Sequence, residues 1–347
     1  MGLSRLFQSS SSLSLSRSDS IQSTTSIASS TYSISPHSQH PKFSRQDSRL
    51  MALGDGVSGF VELFQTKAGF RYAVKTYHCK ENYESSSEYR NRVLYEYHLL
   101  AKLDHRNIIK VFKYNVSLSG NTIKFYMDAG SANLYQLLRV IPTHKYNQTE
   151  MLCLWKQFVE GVNYLHNRGI THRDLKLENI VFDIEHSQIK IIDFATADEK
   201  KICVGIVGSE IYLAPETYSS IKYVGPKADV WSVGIILFYL WNRKFPWKSA
   251  RWNDPQYQVF QSESTNEPPQ GGLSDTNSTL QNSKQSVLQY LPIDSHELTS
   301  QIFECNPENR TSISDFYNNK WFTSIAYCDG VNPCGIDHHD NFKLGKV

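Results

Sequence analysis

At 347 residues the chain is long enough for about two domains. Its content of 40% hydrophobic and 12% aromatic residues places it among globular proteins. Lys+Arg 36 against Asp+Glu 34 leaves a net charge of +2, and the first fifty residues alone carry five basic and two acidic side chains, so the body has no basic excess suited to nucleic acid. Six cysteines at 79, 153, 203, 305, 328 and 334 show no paired CxxC spacing and no secretory leader is evident, so the expectation is reduced thiols in a cytoplasmic protein. The longest apolar run, Val233 to Trp241, is nine residues, where a membrane span needs about twenty. No transmembrane segment is expected.

Residues 1–43 are dominated by Ser and cannot bury enough apolar surface to offset the entropy of ordering, so a disordered tail is predicted. Its Arg17-Ser18-Asp19-Ser20 suits phosphorylation; an inert solvated leader is the alternative. From about residue 49 the pattern changes to strands such as Arg71 to Tyr77, then to a helical stretch from Ser86 to Leu103 with Val93, Leu94, Tyr97 and Leu100 on its apolar positions. After Leu134 the long segments read as helices. Residues 261–285, polar with a Pro-Pro/Gly-Gly centre, read as a disordered surface insertion, and residues 324–347 as a C-terminal tail.

Three groups of residues carry chemistry. Gly54-Asp55-Gly56-Val57-Ser58-Gly59-Phe60-Val61 places glycines where a hairpin backbone can approach phosphate oxygens, although a plain β-hairpin would use the same glycines. Ala73-Val74-Lys75 puts a lysine on a strand, and Glu96, on the following helix, is the carboxylate that can hold it between phosphates. Thr171-His172-Arg173-Asp174-Leu175-Lys176-Leu177-Glu178-Asn179 is followed by Asp193-Phe194-Ala195. Together these motifs resemble the eukaryotic protein kinase family, from about Leu53 to Phe322.

The resemblance implies an α+β bilobal fold: a small antiparallel β-sheet lobe with one helix (44–127), hinged near residue 128 to a larger, mainly helical lobe (128–323). It implies ATP and Mg as cofactors and protein Ser/Thr hydroxyls as acceptors. Asp174 would be the catalytic base, Lys176 would face the transferred phosphoryl group, and the Lys75–Glu96 pair would hold the phosphates. Asn179 and Asp193 would hold magnesium. Gly54, Gly56, Gly59, Val61, Ala73, Lys75 and Met127 would bind the nucleotide, with Phe125-Tyr126-Met127-Asp128 as the hinge. Lys176 looks like the serine/threonine-specific branch. Ser209 in Gly208-Ser209-Glu210 would bond Asp174 and Lys176, Glu216 would pair with Arg310, and Asp229 would cap the catalytic-loop backbone.

The sequence departs from the family at Ala195, where glycine is usual. That change costs on the order of 1–2 kcal/mol if the backbone needs positive φ and little otherwise. It is the sole support for a competing reading, a nucleotide-binding pseudokinase scaffold. Ala197 to Gly208 contains no Ser, Thr or Tyr, so activity is expected not to need phosphorylation there, with Asp198 or Glu199 pairing with Arg173 instead. Glu178 matches the position at which basophilic kinases meet an upstream arginine, and an ordinary exposed loop carboxylate is the equal alternative. The Ser-rich leader, Gly208 to Glu216 and Phe245 to Arg251 look like the fungal nitrogen-permease-reactivator/halotolerance kinases, which implies regulation of plasma-membrane transporters. Cys328, Cys334, His338 and His339 form a candidate zinc set, but the spacing is permissive and the segment polar, so a solvated tail is the favoured expectation.

Overall fold

A computed structural model describes residues 41–56, 58–183, 186–265 and 287–338. The first strands, β1 (Ser48–Asp55), β2 (Gly59–Gln65) and β3 (Arg71–Tyr77), form an antiparallel meander. After α1 (Ser86–Leu100) come β4 (Val111–Val116) and β5 (Ile123–Asp128), and the sheet runs in the order β1-β2-β3-β5-β4. β3 lies at its centre and is buried from Tyr72 to Tyr77. Because strand neighbours share a face, Val61 opposite Lys75, and Ala73 opposite both Leu63 and Met127, fall on one side of the sheet. That side also carries Phe125, whose ring packs on Tyr97 of α1 at 5.5 Å. The opposite side carries Tyr72, covered by Phe43 at 4.5 Å and Phe64 at 5.7 Å. The predicted tail 1–43 lies outside the described residues except for its last three, and Phe43 belongs to the sheet packing because its ring covers Tyr72 and Tyr126.

α1 starts at a capping box in which Ser85 Oγ accepts from Glu88 N at 3.2 Å and Ser85 N donates to Glu88 Oε2 at 2.9 Å. Its buried residues Tyr89, Val93, Glu96, Tyr97 and Leu100 recur at helical spacing. Glu96 is therefore carried inward on the apolar face. The helix ends at Leu100, three residues short of the predicted Leu103, and continues as a turn in which Leu103 N bonds Leu100 O.

The larger lobe contains α2 (Leu134–Val140), α3 (Gln148–His166), the hairpin β6 (Ile180–Asp183) and β7 (Gln188–Ile191), β8 (Ile202–Val204), α4 (Glu216–Ser219), β9 (Lys222–Val224), α5 (Gly225–Asn242), α6 (Pro255–Thr265), α7 (His296–Ile302) and α8 (Lys320–Ser324). α3 and α5 form its centre, tied by Trp155 Nε1 donating to Val233 O at 3.1 Å. α5 is apolar on nearly every side, as a helix enclosed by others must be. α6 is capped by Asp254, whose Oδ1 accepts from Gln256 N and Tyr257 N, each at 3.0 Å. The helix runs through Thr265, so the first five residues of the predicted 261–285 insertion are helical. Buried Tyr257 and Phe260 anchor this helix, which the polar composition of the stretch concealed. The rest of that insertion falls outside the described residues.

The connection between the lobes is 129–133, between β5 and α2. Phe125 to Asp128, predicted as the hinge, are instead strand residues paired with β3. Lys190 Nζ holds Asp128 Oδ2 at 3.0 Å where the strand ends. A Cβ on Gly130 would lie 2.4 Å from a Val181 methyl, so this connection passes too closely over β6 for a side chain.

The glycine loop separates in the same way. A Cβ at Gly59 would lie 2.2 Å from Thr76 O and 2.8 Å from Tyr77 Cα, whereas none of the described residues comes within 4 Å of one at Gly54. We expect Gly59→Ala to lower stability by about 1–3 kcal/mol, because backbone must move. Gly54→Ala should leave the unfolding midpoint unchanged. Thermal unfolding of both variants distinguishes them.

Candidate active site

Lys75 Nζ donates to Glu96 Oε1 at 3.2 Å and to Asp193 Oδ1 at 2.8 Å, with Lys75 only 6% exposed. β3 brings the lysine to the inner face, and the Val93–Glu96 spacing on α1 brings its partner. Burial alone would lower the lysine's pKa, but Glu96 and Asp193 outweigh it and raise the pKa overall. Burial alone would lift the Asp193 carboxyl, and the Lys75 charge reverses that and holds it below the usual carboxylate range. Both groups are thereby held in their charged forms. Asp193 has φ +62, a left-handed conformation that a non-glycine residue adopts only when its surroundings enforce it. Phe194 is fully buried beside it, its ring 4.8 Å from that of His172.

The second cluster centres on Asp174. Its Oδ1 accepts from Ser209 N at 2.9 Å and Ser209 Oγ at 3.0 Å; its Oδ2 accepts from Lys176 Nζ at 2.7 Å and Asn179 Nδ2 at 3.2 Å. Lys176 also reaches Ser209 Oγ at 2.9 Å, and Asn179 Nδ2 donates to Asp174 O at 2.8 Å. Ile192 N bonds Asn179 O at 2.9 Å, which ties this loop to the residue preceding Asp193. The structure therefore joins Lys75, Glu96 and Asp193 in one cluster and Asp174, Lys176 and Asn179 in another. It places Val61, Ala73 and Met127 on one sheet face, and Gly54, Gly56 and Gly59 at the adjoining turn.

The loop's backbone is held from below. Asp229 accepts from His172 N at 2.9 Å, from Arg173 N at 3.0 Å and from His166 Nε2 at 3.0 Å, while Arg173 has φ +71. Arg310 makes a two-pronged contact with Glu216 at 2.6 and 2.8 Å. Ala195 is not among the residues with positive φ, so its methyl group meets no backbone penalty.

Three expectations change. Arg173 does not pair with Asp198 or Glu199: its Nη2 donates to Val204 O at 2.8 Å and its Nε to the Tyr223 hydroxyl at 3.3 Å, while Glu199 is taken by Lys102 at 3.0 Å. The reason is that β8 pairs with β9, bringing the Val204 carbonyl and Tyr223 to the guanidinium. Asp198 instead joins Thr171 through two backbone hydrogen bonds of 2.9 Å. Glu178 is half-buried and receives the Tyr212 hydroxyl at 3.3 Å, a contact the sequence did not signal. The segment after α8 is not a solvated tail: Cys328 is 6% and His338 2% exposed, because both pack against α3; His339 lies outside the described residues.

No helix among the described residues is long and apolar enough to cross a membrane. A family model described as the protein kinase domain matches residues 48–322. The chain is similar to the serine/threonine-protein kinase PRR2 of Saccharomyces cerevisiae, 29% identical over 81% of this chain and 43% of that protein. It is similar to the Nitrogen permease reactivator protein of the same yeast, 30% identical over 83% of this chain and 41% of that protein. Serine/threonine-protein kinase oca2 of Schizosaccharomyces pombe is 30% identical over 81% of this chain and 49% of that protein. The chain thus spans less than half the length of each of these relatives. With the matched model covering most of its length, and with two ion clusters where the kinase motifs fall, the chain belongs to the protein kinase family.

Proposed function

We propose that the protein is an ATP-dependent protein serine/threonine kinase. The observation that carries this reading is the simultaneous assembly of both clusters: Asp193 on the Lys75–Glu96 pair, and Asp174 on Lys176, Asn179 and Ser209. A pseudokinase reading has lost its one support, since Ala195 occupies a conformation open to any residue.

The residues fit a magnesium nucleotide. Among the described residues nothing fills the space beside Gly54 near the end of β1, where phosphates would find room, and Asn179 and Asp193 offer the oxygen ligands that magnesium prefers. Lys75, kept charged, would hold the phosphates, and Val61, Ala73 and Met127 would line the base. The bound metal would neutralise charge on the phosphates. Asp174 would accept the proton of the acceptor hydroxyl, and Lys176, which already touches both Asp174 and Ser209, would donate toward the transferred group. Positioning and electrostatics supply most of the catalysis in such a transfer, so these fixed charges suffice.

Serine/threonine specificity rests on Lys176 and on the names of the relatives. The relative named for nitrogen permease reactivation supports a role in regulating membrane transporters, and the half-buried Glu178 supports acceptors with an upstream arginine. Labelled phosphate from Mg-ATP should appear on Ser/Thr peptides and not on Tyr peptides of the same flanking sequence. Label confined to tyrosine would overturn the specificity.

A further inference from the structure

We propose that Cys153, Cys328, Cys334 and His338 form a structural zinc site that fastens the segment after α8 to helix α3. The four ligand atoms lie within 4.8 Å of one another. His338 Nε2 is 3.1 Å from Cys334 Sγ, 3.5 Å from Cys328 Sγ and 3.6 Å from Cys153 Sγ. A tetrahedral zinc with Zn–S about 2.3 Å and Zn–N about 2.0–2.1 Å sets nitrogen and sulfur about 3.5 Å apart. The three observed separations bracket that value. Three sulfurs and one imidazole supply all four positions of a tetrahedral zinc, the donor set of a structural rather than a catalytic site.

The surroundings are those of a metal centre. Glu150, fully buried one turn before Cys153 on α3, holds His338 Nδ1 at 2.9 Å. That contact fixes the ring so that Nε2 faces the sulfurs, the carboxylate–histidine–metal arrangement. Cys153 Sγ accepts from Cys328 N at 3.3 Å and Gln157 Nε2 at 3.5 Å, and Cys328 Sγ accepts from Cys334 N at 3.4 Å. N–H donors aimed at the sulfurs orient them toward the common centre, as outer partners do around metal ligands. Lys156, on the same helix, donates to Phe322 O at 3.0 Å and Ile325 O at 2.9 Å, so the segment reaches the site already tethered. The site shares no residue with the phosphotransfer clusters, and its test does not depend on kinase activity.

The experiment is metal analysis of the full chain, purified reduced, free of affinity tags and chelators. About one zinc per chain is expected. Cobalt added to metal-stripped protein should give the thiolate-to-cobalt charge-transfer and visible bands of a tetrahedral three-sulfur site. Cys334→Ser, at the least buried ligand, should lose the zinc, while Cys79→Ser, at an exposed cysteine outside the set, should keep it. Glu150→Gln should weaken zinc binding by about 10- to 100-fold. If Cys334→Ser fails to fold, the wild-type cobalt spectrum still decides. Substoichiometric zinc together with no cobalt spectrum, or a disulfide among the three cysteines in protein kept reduced, would overturn the assignment.

Discussion

Arg310→Met should destabilise the protein by about 3–5 kcal/mol, the cost of leaving a buried charge without its partner. The Arg310 side chain is fully buried and that of Glu216 is only 7% exposed. The guanidinium also donates to Lys227 O at 2.8 Å and Glu304 O at 2.9 Å, and lies over the Trp231 ring at 5.0 Å. Removing it strands one carboxylate and three carbonyls, those of Lys227, Glu304 and Cys305, at the junction of α4, α5 and the loop after α7, so the upper part of that range is expected. Replacing both residues, in Glu216→Gln/Arg310→Met, should recover part of the loss by removing the stranded charge. Urea denaturation of the two variants measures the difference. An unchanged midpoint in the single variant would mean that the pair is not the clamp described.

The second large effect is on rate. Asp174→Asn should reduce phosphoryl transfer by about 10²- to 10⁴-fold, the usual contribution of a positioned general base. Its Oδ1 contacts to Ser209 can be kept by an amide, but an NH₂ group would face the Lys176 and Asn179 donors in place of Oδ2. The fold should survive, since the loop backbone hangs on Asp229 rather than on Asp174. ATP affinity should change little, because Lys75 and Asp193 are untouched. A variant that folds, binds ATP and transfers phosphate at the wild-type rate would remove Asp174 from the chemistry.

Much of the site was legible because its residues are spaced by local rules. Lys75 follows from its place on the strand Arg71 to Tyr77, Glu96 from its place on the helical stretch that comes next, and Asp174 to Asn179 from a single loop. The pairing of Ser209 with Asp174, of Glu216 with Arg310 and of Asp229 with the loop backbone could be anticipated only through the family resemblance, since each joins distant parts of the chain. What stayed hidden had no local signature. Cys153 lies inside α3, 175 residues before Cys328, so no spacing connects them. Arg173 goes to a carbonyl because β8 pairs with β9, and carbonyls are invisible to a search for opposite charges. The inter-lobe connection came later than predicted because Phe125 to Asp128 are needed to complete β5.

The β8–β9 pairing also bears on regulation. Kinase activation segments are commonly ordered by a phosphate gripped by arginines. Here the stretch without hydroxyl acceptors is held by strand pairing, by the Thr171–Asp198 bridge and by Arg173 on Val204 O. The active arrangement should therefore need no phosphorylation of that segment. The most direct test is phosphate transfer from Mg-ATP to Ser/Thr peptides by bacterially made, phosphatase-treated protein, with Asp174→Asn as control. The structure predicts transfer that disappears in the control; ATP binding with no transfer above the control would contradict it.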